Sequence, residues 1–193
     1  HPVVRESLKF FKIMDRLEIH YDSDLPGRSG LGSSSAFTVG LINCLMAHQG
    51  KYSTKNFLAK SAINIEQNYI KENVGNQDQI HSAYGGFNHI KFFKNRFAIK
   101  KVIISKEKLD YLKSHLLLVY SGITRKSSDI AKYQIKATLT KEKDLFEMKS
   151  MVKESLKILS GNIKNYDEFG KLLDESWKLK RNLTDKISIK LVE

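Results

Sequence analysis

A glycine- and serine-rich stretch between a predicted strand and a predicted helix constrains this chain more than any other part of its sequence. It covers residues 25–36 and reads LPGRSGLGSSSA. The alternating residues 17–21 before it predict a half-buried strand, and the apolar residues 37–46 after it predict a core helix. Glycines let a ligand approach the backbone closely, and a helix N-terminus offers unpaired N–H groups with partial positive charge. The stretch therefore predicts a phosphate-binding loop.

The residues alone leave the type of this loop open. Ser33, Ser34 and Ser35 carry hydroxyls that can cap the following helix, bind phosphate oxygens or reach a magnesium ion. The Walker pattern is excluded, because no Lys-Ser or Lys-Thr pair closes the loop. A serine-rich helix cap with glycines for the turn remains the alternative interpretation.

The same stretch resembles the second signature motif of the GHMP kinases, a family of small-molecule kinases. That motif reads approximately Pro-x-x-x-Gly-Leu-Gly-Ser-Ser-Ala/Ser, and the matching residues here are Pro26, Gly30, Leu31, Gly32, Ser33, Ser34 and Ser35. The resemblance implies that residues 30–35 bind the triphosphate of ATP.

Two carboxylates downstream of the loop are candidates for chemistry. Glu66 lies one turn after Ala62 on a helix predicted over residues 55–71 and capped by Thr54, so it falls on or beside the buried stripe. Most helix glutamates are exposed to solvent, but a carboxylate beside the buried stripe needs a partner for its charge. A metal ion is one candidate for that partner. Asp78 could be the N-cap of a short helix over 79–84, or a carboxylate that orients or accepts the proton of an attacking hydroxyl.

The surroundings of Asp78 narrow the resemblance. Residues 74–79, VGNQDQ, and 83–86, AYGG, are similar to the same region of the family's sugar kinases, particularly bacterial kinases of D-glycero-D-manno-heptose 7-phosphate. The resemblance implies that Asp78 is the catalytic base and that Ser34 and Glu66 bind Mg²⁺. It also implies that Tyr84 and Gly85 contact the substrate.

A second candidate substrate segment follows a predicted buried strand at 115–120. Residues 121–125, SGITR, stand where α/β folds place ligand-binding groups, and they resemble the corresponding segment of the same heptose kinases. The resemblance implies substrate contacts from Thr124 and Arg125. An Arg guanidinium forms a planar fork that suits a phosphate, although an Arg after a strand is more often a surface ion-pair partner.

Composition limits the other functions. The chain has 193 residues and a net charge of +12, but its lysines are spread along the polar faces of predicted helices, which indicates solvated surface rather than a nucleic-acid interface. No apolar run reaches the length of a membrane span. Cys44, the only cysteine, is predicted to be a core residue of a protein in a reducing cytoplasm.

The remaining sequence predicts an α/β (α+β) fold in two parts. A hairpin is predicted over 87–104, and helices over 106–113, 127–139, 142–160 and 166–183. Trp177, Leu173 and Phe169 fall on one predicted core stripe. The resemblance implies the two-domain GHMP architecture, with a mixed sheet and the phosphate loop in a partial N-terminal domain and a helix-rich partial C-terminal domain. A change in composition predicts the boundary near residue 110, which gives domains of 1–110 and 111–193. Because the family's N-terminal and C-terminal motifs are not found, the chain is expected to be the middle of an enzyme.

The resulting hypothesis is a cytoplasmic, ATP- and Mg²⁺-dependent kinase acting on a sugar phosphate. The resemblance implies the anomeric hydroxyl of a heptose 7-phosphate as acceptor, no nucleic-acid or membrane partner, and allows a homodimer. Two alternatives stay open: a nucleic-acid-binding module of related domain type and a non-catalytic kinase homologue.

Overall fold

The computed structural model describes residues 1–24, 30–119 and 127–188. Within these ranges eight α-helices, a π-helical turn, a 3-10 turn and one β-hairpin form. The elements are α1 Pro2–Phe10, α2 Ser33–His48, α3 Lys55–Asn64, the π-helix Ile65–Tyr69, α4 Gln77–Tyr84, β1 Asn88–Phe93, β2 Arg96–Lys101, α5 Lys106–Ser114, α6 Ser127–Ala137, α7 Glu142–Ser160, the 3-10 turn Ile163–Asn165 and α8 Asp167–Asn182. None of the helices in these ranges is both long and apolar enough to cross a membrane.

The chain divides into two compact units. The first contains His1–Gly86 and the start of α6 as far as Ala131, and the second contains the hairpin, α5 and the chain from Lys132 onward. The chain therefore passes from the first unit to the second between Gly86 and Phe87. The change in composition had instead predicted a domain boundary near residue 110. That domain boundary stays a prediction.

The first unit is a helical core. Helix α2 is apolar around most of its circumference, and α3 begins at its predicted cap, where the Thr54 hydroxyl accepts a hydrogen bond from the Phe57 N–H at 3.2 Å. One buried cluster joins α2 to α3 and the π-helix through Val39, Ile42, Met46, Leu58, Ala62 and Ile65. A second joins α1 and the residues after it to α2 through Val3, Ile13, Leu41 and Leu45. This packing fixes α2, whose first turn follows the glycine loop.

The second unit combines the hairpin with long, lysine-rich helices. Strands β1 and β2 pair antiparallel with Ile90 opposite Ile99, as the alternation predicted. The core cluster of this unit consists of Leu112, Leu159 and Tyr166. The Tyr166 hydroxyl donates to the Leu159 carbonyl oxygen at 2.8 Å, so a side chain-to-backbone bond adds to the apolar contact.

Two predicted strands do not form in the described structure. Residues 17–21 and 116–119 form no strand, and Leu117, predicted to be buried on both faces, is 88% exposed. A strand needs a partner to satisfy its backbone N–H and C=O groups. Within the described ranges the only ladder is the one between β1 and β2, so these two segments lack such a partner there.

Two core predictions were also wrong. Cys44 is exposed on α2, and Leu173 and Trp177 are exposed on α8. The partly buried face of α8 instead carries Phe169, Leu172, Ser176 and Leu179. Apolar character alone did not locate the buried face of these helices, because burial depends on the side that meets a neighbouring element.

Candidate active site

The glycine loop leads directly into α2. Gly30 and Gly32 have φ angles of +78° and +74°, a left-handed conformation that glycine adopts without strain. Gly32 is the N-cap of α2, so no side chain caps the first N–H groups of the helix. Those donors and the helix dipole suit an anion. The sequence allowed two interpretations of the serines, as ligand-binding groups or as caps of the helix. Because no side chain caps the helix at Gly32, the structure favours ligand binding.

Glu66 is the central buried carboxylate of the first unit. Its side chain is 1% exposed, and its Oε2 accepts hydrogen bonds from the Ser35 hydroxyl at 3.1 Å and from the Nε2 amide of Gln79. Ser35 is 5% exposed and Gln79 is fully buried. The second oxygen, Oε1, has no hydrogen-bond partner within the described structure. The sequence predicted that Glu66 needs a partner, and the structure supplies partners for one oxygen only.

The environment of Glu66 perturbs its acidity. Burial raises the pKa of the Glu66 carboxyl above its ordinary value, and the negative charge of Glu72 acts in the same direction. The nearby polar side chains of Thr38, Gln79 and Ser35 oppose this rise in pKa. A buried carboxylate with one free oxygen and a raised pKa is a typical functional-site feature, since a bound cation would stabilise its charged form.

A π-helical turn presents Glu66. The helix widens at Ile65–Tyr69, where the Ile70 N–H donates to the Ile65 carbonyl at 2.9 Å, and π-turns of this kind are frequent at functional sites. The turn ends at Lys71, whose φ of +63° is unusual for a non-glycine residue. The neighbouring Gln67 donates to the Val74 carbonyl at 2.8 Å and to the Asn76 side-chain oxygen at 2.7 Å. These bonds tie the turn to the segment that leads into α4.

Asp78 lies in the first turn of α4, where its carboxylate faces the glycine loop. A Cβ atom added at Gly32 would lie 3.3 Å from Asp78 Cγ and 3.5 Å from its Oδ2. The predicted helix start was wrong: α4 begins at Gln77 with Asn76 as N-cap, so Asp78 is not the cap. The structure therefore places an exposed carboxylate against the backbone at the N-terminus of α2, where an anion would bind.

The structure places the loop serines and Leu31 in different surroundings. Ser35, rather than Ser34, contacts Glu66. Ser34 is exposed in the first turn of α2, and its carbonyl oxygen accepts a hydrogen bond from Thr38 at 3.0 Å. Leu31 is exposed and Ser33 half-buried. The assignment of Ser34 as a metal ligand stays a prediction.

The predicted substrate residues are only partly described. Tyr84 is half-buried at the end of α4, and its carbonyl oxygen accepts a hydrogen bond from Lys55 Nζ at 2.9 Å. Gly85 ends the helix with a φ of +63°. Thr124 and Arg125 lie outside the described residues. All four substrate contacts stay predictions.

The donor set fits Mg²⁺ better than a soft transition metal. The described residues contain no group of three or more His, Cys, Asp or Glu side chains that could hold a metal. Mg²⁺ prefers oxygen ligands and binds through one or two carboxylates together with phosphates and water. Glu66 Oε1, buried without a hydrogen-bond partner in the described structure, is one candidate ligand, and the Ser34 hydroxyl is the second.

Gln79 is the site residue that the sequence analysis missed. The signal was present, because Gln79 and Ala83 stand four residues apart on α4 and Ala83 packs against the core cluster. A polar residue on a core-facing helix position needs a buried partner. Its partner, Glu66, stands thirteen residues earlier in the chain, and helical periodicity does not identify such a pair.

Comparisons with known proteins identify chains that are similar to this one. Residues 3–86 match the model of the GHMP kinases N terminal domain. The D-glycero-alpha-D-manno-heptose 7-phosphate kinase of Campylobacter jejuni is 30% identical over 176 residues, which cover 88% of this chain and 50% of that protein. The crystal structure of a D-glycero-D-manno-heptose 1-phosphate kinase from Bacteroides thetaiotaomicron aligns with a TM-score of 0.64 at 22% identity, over 93% of this chain and 53% of that one.

The match to the GHMP kinases N terminal domain covers residues 3–86, which is less than half of the chain. Over most of its length the chain is similar in fold to the solved D-glycero-D-manno-heptose 1-phosphate kinase, and this similarity confirms the fold class predicted from the motifs. The chain spans about half the length of both relatives.

Proposed function

We propose that the protein transfers the γ-phosphoryl group of ATP to a hydroxyl group of a sugar phosphate. The observation that carries this proposal is the position of Asp78, whose carboxylate lies against Gly32 at the N-terminus of α2. The same helix turn brings Ser35 to the buried Glu66. A phosphate-binding helix start, a cation-ligand candidate and an exposed carboxylate are the parts that phosphoryl transfer requires.

The loop and the first turn of α2 would bind the triphosphate. Residues 30–35 offer backbone N–H groups without a side-chain cap, and the helix dipole adds favourable charge. Glu66 and Ser34 would hold Mg²⁺, which supplies charge neutralisation at the phosphates. Catalysis by these residues consists mainly of positioning and electrostatic stabilisation, since a loose transition state needs little covalent help.

Asp78 would act on the acceptor hydroxyl. Because it is exposed in the first turn of α4, it can accept or orient the proton of a substrate group that approaches the loop. Its position beside Gly32 would bring that proton acceptor close to a triphosphate bound at the loop. This arrangement favours transfer to a hydroxyl over a role in nucleotide binding alone.

The proposed acceptor is the anomeric hydroxyl of D-glycero-D-manno-heptose 7-phosphate. The support is the similarity to the D-glycero-alpha-D-manno-heptose 7-phosphate kinase of Campylobacter jejuni and the sequence similarity around Asp78. Arg125 and Thr124 would bind the phosphate that the substrate already carries, with Tyr84 and Gly85 nearby. A cytoplasmic location and a homodimer belong to the same proposal, and the comparisons do not favour the nucleic-acid or non-catalytic alternatives.

A substrate panel tests this function. The full chain is incubated with ATP and Mg²⁺ and with heptose 7-phosphate, unphosphorylated heptose, or hexose 6-phosphates, and products are followed by ³¹P NMR. We expect a new anomeric phosphate signal with heptose 7-phosphate and a much lower kcat/KM for the unphosphorylated sugar, because the phosphate contacts are lost. Bound ATP without turnover on any sugar phosphate would contradict the proposal.

A further inference from the structure

A buried amide–carboxylate pair links α4 to the π-helical turn. Gln79 is fully buried, Glu66 is 1% exposed, and the Nε2 of Gln79 donates to Oε2 of Glu66. The Ser35 hydroxyl donates to the same oxygen at 3.1 Å. Both donors therefore converge on one carboxylate oxygen and leave the other, Oε1, without a hydrogen-bond partner in the described structure.

The direction of the amide follows from the chemistry of its partner. An ionised carboxylate only accepts hydrogen bonds, so the NH₂ end of Gln79 must face Glu66. Thr38 also lies close enough to Glu66 to lower the pKa of its carboxyl, but its hydroxyl has one hydrogen and donates it to the Ser34 carbonyl at 3.0 Å. The two donors that hold Oε2 are thus Gln79 and Ser35.

We propose that Gln79 is a positioning residue, which together with Ser35 holds Oε2 of Glu66 so that Oε1 is presented as a Mg²⁺ ligand. The inference depends on the proposed function only for the identity of the cation. Second-sphere hydrogen bonds of this kind orient a ligating carboxylate and raise metal affinity. Gln79 itself is fully buried and would touch neither nucleotide nor substrate.

A purely structural role explains the pair poorly. A buried polar pair with two unpartnered oxygens, Glu66 Oε1 and Gln79 Oε1, is less favourable than a well-packed apolar pair of similar volume. Its neighbours in the core are apolar, including Ile65 beside Glu66 and Ile80 beside Gln79. A cation bound at this site would be the missing partner of Glu66 Oε1.

The position of Gln79 on α4 adds a second consequence. Asp78 and Gln79 are consecutive, and their side chains take different environments: Asp78 lies exposed against Gly32, whereas Gln79 lies buried on Glu66. One rigid helix turn therefore sets the distance between the carboxylate that faces the acceptor and the carboxylate that faces the cation. Gln79 positions both groups relative to each other.

The test compares Gln79→Met with Gln49→Met in the full chain. Both changes remove an amide and keep side-chain length, but Gln49 donates to the Phe11 carbonyl at 3.3 Å near the C-terminal end of α2. Thermal unfolding is measured against MgCl₂ alone, with EDTA as the metal-free reference. We expect Gln79→Met to raise the Mg²⁺ concentration for half of the thermal shift by about 10-fold to 100-fold. Gln49→Met should leave it unchanged.

Kinetics provide an independent readout. In Gln79→Met the Mg²⁺ concentration for half-maximal turnover should rise by a similar factor, while saturating Mg²⁺ restores most of kcat. Ser35→Ala should also raise the Mg²⁺ concentration for half-maximal turnover. Ser35→Thr keeps the hydroxyl and should leave that concentration near the wild-type value. If Gln79→Met does not fold, the comparison of Ser35→Ala with Ser35→Thr tests the inference in its place.

Wild-type Mg²⁺ dependence in Gln79→Met, or an equal change in Gln49→Met, would overturn the inference. So would a wild-type chain whose stability does not respond to Mg²⁺. Failure of the proposed function is distinguishable, because it would show as normal Mg²⁺ binding and normal variant effects without turnover on any sugar phosphate.

Discussion

The two compact units differ in how densely they bury their side chains. Among the described residues, the first unit has two core clusters of six and four buried residues, whereas the second has one cluster of three. All the buried polar groups of the candidate site, such as Glu66 and Gln79, lie in the first unit. In the second unit large apolar side chains such as Ile103 and Phe146 remain exposed. A buried carboxylate is held in one orientation only where tight packing leaves its donors no alternative position.

The difference is in packing rather than in local helix formation. Both units use the same devices to begin helices and end them, including hydroxyl caps at Thr54 and Ser105. The comparison therefore predicts that changes at equivalent local positions have similar effects on stability in both units. Changes in the densely packed unit should additionally affect activity.

The largest expected effect is on turnover in Asp78→Asn. Removing the charge and basicity should lower kcat by about 10²-fold to 10⁴-fold if Asp78 is a general base. A fall of only about tenfold would mean that it mainly orients the hydroxyl. ATP affinity, measured by calorimetry, should be nearly unchanged.

The matched control for Asp78 lies in the second unit. Asp167 occupies the first turn of α8, as Asp78 occupies the first turn of α4, and both are exposed. Asp167→Asn should leave turnover at the wild-type value. Full activity in Asp78→Asn would show that Asp78 is a helix-terminal residue without a catalytic role.

Gly32→Ala should have the next largest effect. Alanine at a φ of +74° is strained by about 1–2 kcal/mol, and its Cβ would also lie 3.3 Å from Asp78 Cγ. Displacing that carboxylate should reduce kcat by about 10²-fold, the cost of a misplaced group. Gly50→Ala is the control, because Gly50 has a φ of +68° with nothing within 4 Å. Equal loss of activity in both variants would show that strain alone is responsible.

Glu66→Gln should stabilise the metal-free protein by about 1–2 kcal/mol at neutral pH, the scale of a buried unsatisfied polar group. Burial raises the pKa of Glu66, so between its ordinary value of 4.5 and the raised value the folded state binds more protons than the unfolded state. The free energy of unfolding therefore falls as pH rises through that window, and Glu66→Gln should lack this fall.

Chemical denaturation in EDTA from about pH 4 to pH 8 measures this difference for Glu66→Gln. An exposed glutamate of the second unit, Glu147, serves as the control, and Glu147→Gln should change the free energy of unfolding by less than about 0.5 kcal/mol. The same Glu66→Gln variant should lose the stabilisation by Mg²⁺. A pH-independent difference between Glu66→Gln and wild type would contradict the raised pKa.

The smallest expected effects are at the two helix caps. Thr54 accepts from the Phe57 N–H at 3.2 Å and Ser105 from the Lys108 N–H at 3.3 Å. Thr54→Ala and Ser105→Ala should each lower stability by about 1 kcal/mol, with turnover unchanged. Clearly unequal losses in thermal unfolding would show that the units differ in local helix energetics as well as in packing.

The sequence by itself determined the features that depend on neighbouring residues. Helical periodicity placed α2, α3, α5, α7 and α8 within a few residues, and hydroxyl capping located the start of α3 at Thr54. Alternation and a polar turn located the hairpin β1–β2. Motif spacing also singled out Glu66 and Asp78, because a signature motif fixes residue types at fixed separations.

Only the tertiary structure decided features that need a partner distant in the chain. Alternation at 17–21 predicted a strand, yet a strand forms only where another strand accepts its backbone hydrogen bonds. Cys44 lies on an apolar helix, and the position of the neighbouring elements decided that it is exposed. Gln79 reaches Glu66 because α4 packs against α2 and α3, which brings the Gln79 amide to the Glu66 carboxylate. Local sequence sets the shape of each element, whereas packing between elements decides which side chains meet.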